Sequence, residues 1–160
     1  MSRLPLLLVP LALAAVALGV ANRPPAPLPP GATADRVVVD KSDRTLALLD
    51  GADTLAVYPV ALGAAPVGHK QQEGDERTPE GAYTLDWRNP NSIAHRSLHV
   101  SYPDADDVAR ADAAGVSPGG DFMVQGITNG LGWLGRLHRL ADWTDGCIGV
   151  TNAEMDQIWD

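Results

Sequence analysis

Residues 36–62 read RVVVDKSDRTLALLDGADTLAVYPVAL. This stretch contains three runs that are rich in β-branched and aliphatic residues: RVVVD, TLALLD and TLAVYPV. The polar turn sequences KSDR and GAD separate the runs. Short apolar runs between turn-forming residues are typical of strands that are joined by hairpins. We therefore predict a three-stranded meander over 36–62, which makes the expected fold class mainly β.

The chain after this meander continues with extended segments and polar loops. Three further runs are predicted to be strands: AYTLDW (82–87), SLHVSY (97–102) and DFMVQG (121–126). Between the last two runs, Asp104 as an N-cap and Gly115 as a stop predict a short helix. Strands do not alternate with helices as they do in a βαβ pattern. We therefore expect a β-sandwich or mixed sheet with short helices.

A second helix is predicted at the end of the chain. Thr151 and Glu154 form the T-x-x-E pattern of a capping box. Met155, Ile158 and Trp159 then provide an apolar face with helical spacing. The pattern predicts a helix that begins after Thr151 and is short, because the sequence ends at residue 160.

The first 21 residues are typical of a targeting segment. Arg3 precedes an apolar run over 4–21, and the small residues Gly19 and Ala21 stand where a signal peptidase would cut. We predict a signal peptide over 1–21 that is cleaved after Ala21. The alternative is an uncleaved anchor in the inner membrane, although the run is barely long enough to span a bilayer.

A proline-rich segment separates the targeting segment from the predicted strands. Residues 22–34 contain five prolines, which favour a stiff linker. We place this linker at 22–35 and a single domain at 36–160. Together with the targeting segment, this arrangement predicts an exported, periplasmic protein.

The net charge limits the possible partners. The chain has a formal charge of −8, and removal of residues 1–21 would delete only one charge, that of Arg3. An acidic surface is unsuited to DNA, RNA or anionic lipid, all of which bind basic patches. We expect no nucleic-acid partner, and contact with a membrane only through an uncleaved N-terminal segment.

The only cysteine of the chain, Cys147, stands in DWTDGCIGVTN (142–152). A free cysteine is often a small buried apolar residue, but it can also be a nucleophile, which needs a base that is usually histidine. Gly146 before it permits a sharp turn whose N–H groups could face a developing oxyanion. His138, nine positions earlier, could reach the thiol if the intervening loop folds back. These residues alone leave both interpretations of Cys147 open.

Other chemistry has less support. His95 and His99 have the spacing of a metal-binding pair, but no third ligand accompanies them, so we predict no metal site here. Trp87 is expected in the core, as aromatic residues more often are. Trp133 and Trp143 could instead line a groove for a sugar or peptide.

Three segments together resemble one family: GDERTPEGAY (74–83), RSLHVSYP (96–103) and NGLGWLGRLHRLADWTDGCIGVTN (129–152). They are similar to the L,D-transpeptidase catalytic domain, also called the YkuD domain, and most similar to a proteobacterial branch with a DWT-x-GC cysteine loop. The resemblance covers residues 36–160. It implies a β-rich fold that usually closes with a strand after the last helix, so we expect that strand to be lacking here.

The resemblance implies acyl transfer on peptidoglycan stem peptides. Cys147 would be the nucleophile that attacks the third residue and expels D-alanine, with the N–H groups of Gly146 and Cys147 as oxyanion donors. The acyl group would pass to an amine of a second stem, or in some members to a lipoprotein lysine. Trp133 and Trp143, with Thr144 and Asp145 of the cysteine loop, would contact substrate. No metal or organic cofactor is implied.

Two positions depart from the family pattern. Gln125 stands where the catalytic histidine is expected, and Asp145 replaces the second histidine of the cysteine motif. Gln125 cannot accept the thiol proton, and an aspartate is a poor base for a thiol. His138 is therefore the candidate substitute base. The sequence thus predicts a cysteine-dependent L,D-transpeptidase or, alternatively, a degenerate member that binds peptidoglycan without turnover.

Overall fold

The computed structural model describes the chain from residue 5 to residue 160. Arg3, part of the predicted signal peptide, lies outside the described residues. Helix α1 (Pro5–Ala21) forms the N-terminal segment. Among the helices of residues 5–160, none is both long and apolar enough to cross a membrane.

The predicted meander over 36–62 is confirmed as the first sheet. It consists of β1 (Arg36–Asp40), β2 (Thr45–Asp50) and β3 (Asp53–Pro59), paired antiparallel in the order β1-β2-β3. Side chains alternate between the two faces of a strand. In β2 this alternation buries Leu46 and Leu48, which are 0% and 4% exposed.

The second sheet ends in a strand that directly follows the cysteine. It has the order β4-β5-β6-β7 and comprises β4 (Leu85–Asn89), β5 (Ser97–Val100), β6 (Met123–Gln125) and β7 (Ile148–Gly149). The first three strands pair antiparallel, whereas β6 and β7 run parallel. Fold class is therefore confirmed as mainly β, with two sheets and a few short helices.

The core lies on the inner faces of both sheets and includes one helix. Its buried apolar side chains are Leu46, Leu48, Tyr58, Val60, Leu62, Leu98, Val100, Tyr102, Phe122, Val124, Ile148, Val150 and Met155. Because Leu98, Val124 and Ile148 point into this core, the residues before and after them on each strand point to the opposite face. That outer face of the second sheet is where the candidate site lies.

The helices confirm the predicted caps. Helix α2 (Ala105–Ala114) begins with Asp104, whose side chain accepts from the backbone N–H groups of Asp106 and Asp107, and ends at Gly115 in the left-handed region. Helix α3 (Asn152–Trp159) has the complete Thr151–Glu154 capping box. Local hydrogen bonds of this kind are readable from sequence because both partners lie within four residues.

The segment Gly132–Leu140, which was not predicted, consists of two short 3₁₀ turns that meet at a kink at Gly135. The end of α1 packs against this segment. Ala21 is buried, and Asn22 Nδ2 donates to the carbonyl oxygen of Trp133 at 2.8 Å. Gly135 has φ +49° and faces the Ala21 carbonyl with no room for a side chain. The N-terminal helix therefore ends in contact with the segment that leads to the cysteine loop.

The prediction that Trp87 lies in the core is wrong. Trp87 is 45% exposed on the outer face of β4 and stacks on His99, with ring centroids 5.3 Å apart. A tryptophan on a strand buries one ring face against a cross-strand neighbour without entering the core. Sequence does not tell these two situations apart.

Candidate active site

Cys147 stands directly before β7, the strand at one edge of the second sheet. In the parallel pair, Val124 is opposite Ile148 and Gln125 is opposite Gly149. Cys147 and Gln125 therefore both project from the outer face, because Val124 and Ile148 occupy the core face. Two stretches of chain that are 22 positions apart thus bring the cysteine and the glutamine to one surface.

The turn that presents the cysteine is held by its own hydrogen bonds. Thr144 Oγ1 donates to the carbonyl oxygen of Cys147 at 2.6 Å, and Gly146 N donates to Thr144 Oγ1 at 3.2 Å. Gly146 has φ +124°, and a Cβ there would lie 2.8 Å from the carbonyl oxygen of Arg77. Both the backbone angle and this close approach require glycine.

Two side chains, one from outside the loop and one within it, join the same loop to distant segments. Thr78 Oγ1 donates to the carbonyl oxygen of Gly146 at 2.7 Å, and Thr78 is only 2% exposed. Asp142 Oδ1 accepts from the backbone N–H of Leu62 at 3.0 Å, and its carboxylate pairs with Arg44 at 2.9 Å. These contacts fix the cysteine loop to the loop over 68–83 and to the chain that follows the first sheet.

The thiol opens on a cavity of about 430 Å³. The residues that line it are Asn89, Asn91, Ser92, Ile93, Ala94, Ser97, Asp121, Met123, Gln125, Thr128, Trp143, Thr144, Asp145 and Cys147. The structure thus brings together five of the residues selected from sequence: Cys147, Gln125, Trp143, Thr144 and Asp145. Gly146, Trp133 and His138 do not line this cavity.

The surroundings of Cys147 disfavour its thiolate. Burial is the largest cause and raises the pKa of the Cys147 thiol above its ordinary value. The backbone N–H of Met123 acts in the opposite direction, and the Asp145 carboxylate adds to the rise. The Sγ atom also lies 3.9 Å from the backbone carbonyl oxygen of Asp121, to which the thiol, a weak donor, can donate. The thiol is therefore mainly protonated at neutral pH.

His138 is packed away from the cavity. It is 7% exposed, and its Nδ1 accepts from the indole Nε1 of Trp143 at 3.2 Å. Burial, with a smaller contribution from Arg139, lowers the pKa of His138 to about 4. Since Nδ1 is an acceptor, the neutral ring carries its proton on Nε2, which has no partner among residues 5–160. The imidazole supports Trp143, which in turn forms part of the cavity wall.

Trp133 and Trp143 differ in position. Trp133 is 57% exposed in the segment Gly132–Leu140, whereas Trp143 lines the cavity beside the thiol. Of the two candidate groove residues, only Trp143 shares the cavity with Cys147.

The two histidines with metal-pair spacing have separate partners. His95 Nε2 lies 2.7 Å from Asp156, and His99 Nδ1 lies 2.5 Å from Asp86. Within residues 5–160, no group of three histidine, cysteine, aspartate or glutamate side chains is placed to hold a metal ion.

Sequence reasoning missed the loop anchors. Thr78 belongs to the TPEG stretch, which contributes to the family resemblance without an assigned role, and Asp142 is the first residue of the DWTDGC motif. In the sequence, Thr78 is only a threonine within a polar loop. Neither its burial nor its partner, which lies 68 residues away, can be read from that pattern. Only the folded structure identifies Gly146 as that partner.

Comparison with known proteins agrees with this architecture. The solved structure of Bdellovibrio bacteriovorus Bd1075 superposes with a TM-score of 0.50 and 22% identity, over 78% of this chain and 42% of that one. At this identity the likeness is one of fold, and the chain spans less than half the length of that protein. A search of curated proteins found no match. A family model of the L,D-transpeptidase catalytic domain (YkuD) matches residues 34–160. The chain therefore belongs to the L,D-transpeptidase catalytic domain family.

Proposed function

We propose that the protein performs acyl transfer on peptidoglycan stem peptides, with Cys147 as the nucleophile. The observation that carries the proposal is the position of the thiol, on the wall of a cavity large enough for part of a peptide and at the end of a turn that is fixed on both sides. Membership of the family supplies the reaction class. Fixed nucleophiles beside a substrate cavity are the usual arrangement in covalent catalysis.

The proposed reaction has two steps. The Cys147 sulfur attacks the carbonyl carbon of the third stem residue, and the C–N bond to the terminal D-alanine breaks, so that D-alanine leaves with the thiol proton. The resulting thioester is attacked by an amine, either of a second stem or of a lipoprotein lysine. An amide forms, and the thiol of Cys147 is released. No cofactor takes part in either step.

The oxyanion of each step needs a hydrogen-bond donor. The N–H of Gly146 is already directed to Thr144 Oγ1. The N–H of Cys147 has a small lowering effect on the pKa of its own thiol, so it lies close to the sulfur. We therefore assign the Cys147 N–H as the main oxyanion donor, with Gly146 setting the turn that aims it.

Because Gln125 cannot act as a general base, we expect the proposed reaction to be slow. Loss of a general base typically lowers the rate about 10²- to 10⁴-fold. Among the residues that line the cavity there is no histidine, so no imidazole takes the place of the missing base there. Attack then depends on the small fraction of thiolate present at neutral pH.

These same observations favour a second candidate function, which is binding of stem peptides without turnover. A cavity that keeps a protonated thiol and has no imidazole can still hold a peptide. For either function we propose a periplasmic location, since an apolar N-terminal segment precedes the domain and peptidoglycan is the substrate.

Intact-protein mass spectrometry tests the proposal. The protein is incubated with a carbapenem or with a disaccharide-tetrapeptide, and Cys147→Ala serves as the control. A Cys147-dependent adduct together with cross-linked dimer supports acyl transfer. Tetrapeptide binding by calorimetry without adduct or dimer supports the second candidate. Absence of binding, adduct and dimer contradicts both functions.

A further inference from the structure

A row of neutral polar side chains crosses the outer face of the second sheet. Asn89 on β4 is opposite Ser97 on β5, and Ser97 is opposite Gln125 on β6. Residues that are directly opposite in a sheet project from the same face, with Cβ atoms about 4.5–5.5 Å apart. All three residues line the Cys147 cavity. The row therefore forms a continuous polar floor next to the thiol.

Ser97 is the unusual member of this row. It is 1% exposed, and its Oγ has no hydrogen-bond partner among the described residues. Nearly all buried hydroxyl groups have a partner, because an unpaired one loses its hydration without compensation. Ser92, in the wall of the same cavity, follows the rule: its Oγ accepts from the backbone N–H of Ala94 at 3.1 Å. Ser97 thus retains an unused hydrogen bond at the cavity floor.

Gln125 is the neighbour that this hydroxyl can serve. A carboxamide both donates and accepts, so one end can bind the Ser97 hydroxyl while the other faces a ligand. Gln125 is opposite Gly149, two residues beyond Cys147. Two residues along a strand correspond to about 7 Å, which is also the span of two residues in an extended peptide.

We propose that Ser97 is a positioning residue: its hydroxyl, which is unpaired in this structure, binds the Gln125 carboxamide when substrate enters the cavity and orients it toward a peptide amide, about two residues from the carbonyl that Cys147 attacks. An amide is the group that fits, because it donates and accepts as the carboxamide does. An anion is disfavoured, since two acidic residues, Asp121 and Asp145, are among those that line the same cavity. The identity of the peptide as a stem peptide rests on the proposed function, whereas the preference for an amide does not.

Thermal unfolding provides the first readout. Removing an unpaired buried hydroxyl relieves its desolvation penalty, so Ser97→Ala is expected to raise the Tm by about 2–4 °C. The matched control is Ser92→Ala, which removes the acceptor of the Ala94 N–H and is expected to lower the Tm. A fall of the Tm in Ser97→Ala would mean that the hydroxyl is already bonded, and it would overturn the proposal.

Alkylation of Cys147 provides the second readout and needs no turnover. Two reagents are compared, N-iodoacetyl-glycinamide and the matching methyl ester, which lacks the terminal amide. The rate with the amide is divided by the rate with the ester. This ratio is then divided by the corresponding ratio for glutathione, which corrects for the intrinsic reactivity of the two reagents. In the wild type we expect this normalised ratio to be about 3 to 10, because one neutral hydrogen bond to the terminal amide changes the rate by about that factor. In Ser97→Ala it should fall close to one, and Ser97→Thr, which keeps the hydroxyl, should restore it.

A variant at the partner keeps the test decisive. Gln125→Met conserves side-chain volume but lacks the carboxamide, so its normalised ratio should fall close to one, as in Ser97→Ala. The double variant should show no further decrease in this ratio. A wild-type ratio near one, or an unchanged ratio in Ser97→Ala, overturns the assignment. If the ratios are as expected but the disaccharide-tetrapeptide neither binds nor reacts, the proposed function is contradicted and the role of Ser97 is still supported.

Discussion

Gln125 and Cys147 line one cavity from adjacent parallel strands, with Gln125 opposite Gly149 and therefore diagonal to the thiol. A side chain at position 125 therefore lies on the same face as the thiol and enters the same cavity. Glutamine there cannot take the thiol proton, whereas an imidazole could. Position 125 and the thiol share one cavity, but the residue at position 125 cannot act as a base.

This relationship predicts a gain of activity in Gln125→His. An imidazole at this position should raise the rate of Cys147 acylation by a carbapenem about 10²- to 10⁴-fold at neutral pH. The rate is measured by mass spectrometry of the adduct over time. Gln125→Asn is the control, because it shortens the side chain without supplying a base. Equal rates in the two variants would place the base elsewhere.

The pH profile of Cys147 alkylation should be shifted upward. Burial raises the pKa of the folded-state thiol, so the rate with iodoacetamide should reach half its maximum at a higher pH than for glutathione. Because the Asp145 carboxylate also raises this pKa, Asp145→Asn should move the midpoint down. A midpoint at or below that of glutathione would contradict the described burial.

The same thiol makes stability depend on pH in the alkaline range. A folded-state pKa above the unfolded one means that the folded protein holds the proton more tightly. This contribution is complete below the unfolded pKa and is lost as the pH rises through the folded pKa. Cys147→Ala should therefore show a smaller decrease in Tm than the wild type between about pH 8 and pH 10. Parallel Tm curves for the two proteins would contradict this linkage.

His138 should control stability in the acid range. Its folded pKa of about 4 lies below the ordinary value of 6.5, so its contribution is present above 6.5 and is lost as the pH falls through 4. At about 1.4 kcal/mol per unit, this amounts to roughly 3 kcal/mol of unfolding free energy. Denaturant unfolding between pH 7 and pH 4 measures it. His138→Phe should lose less over the same interval, whereas equal losses would show that the ring is not buried neutral.

Thr78 should hold the cysteine loop. Thr78→Val leaves the buried Gly146 carbonyl without its 2.7 Å donor and should lower the free energy of unfolding by about 1–3 kcal/mol. Thr78→Ser keeps the hydroxyl and is the matched control. Alkylation of Cys147 should accelerate in the valine variant, because a loosened loop exposes the thiol. A stable Thr78→Val with unchanged alkylation would show that Asp142 alone anchors the loop.

Features whose partners lie close in the chain could be predicted from the sequence. The meander over 36–62, the Asp104 and Gly115 ends of α2 and the Thr151–Glu154 capping box all depend on side-chain alternation or hydrogen bonds within a few residues. Three segments, of which the one with the cysteine loop is the most specific, also predicted the family, which the family model confirms. Gln125 was selected in the same way, as an unexpected residue at a known position.

Tertiary structure alone decided which of these residues meet. The parallel pairing of β6 with β7 brings Gln125 beside Cys147, while His138, nearer in sequence, is buried behind Trp143. The Thr78–Gly146 contact and the unpaired Ser97 hydroxyl likewise depend on segments far apart in the chain. Local sequence determines which groups are available and how each segment folds. Which groups come into contact is set by the packing of the two sheets, because a shared core must be satisfied by all segments at once.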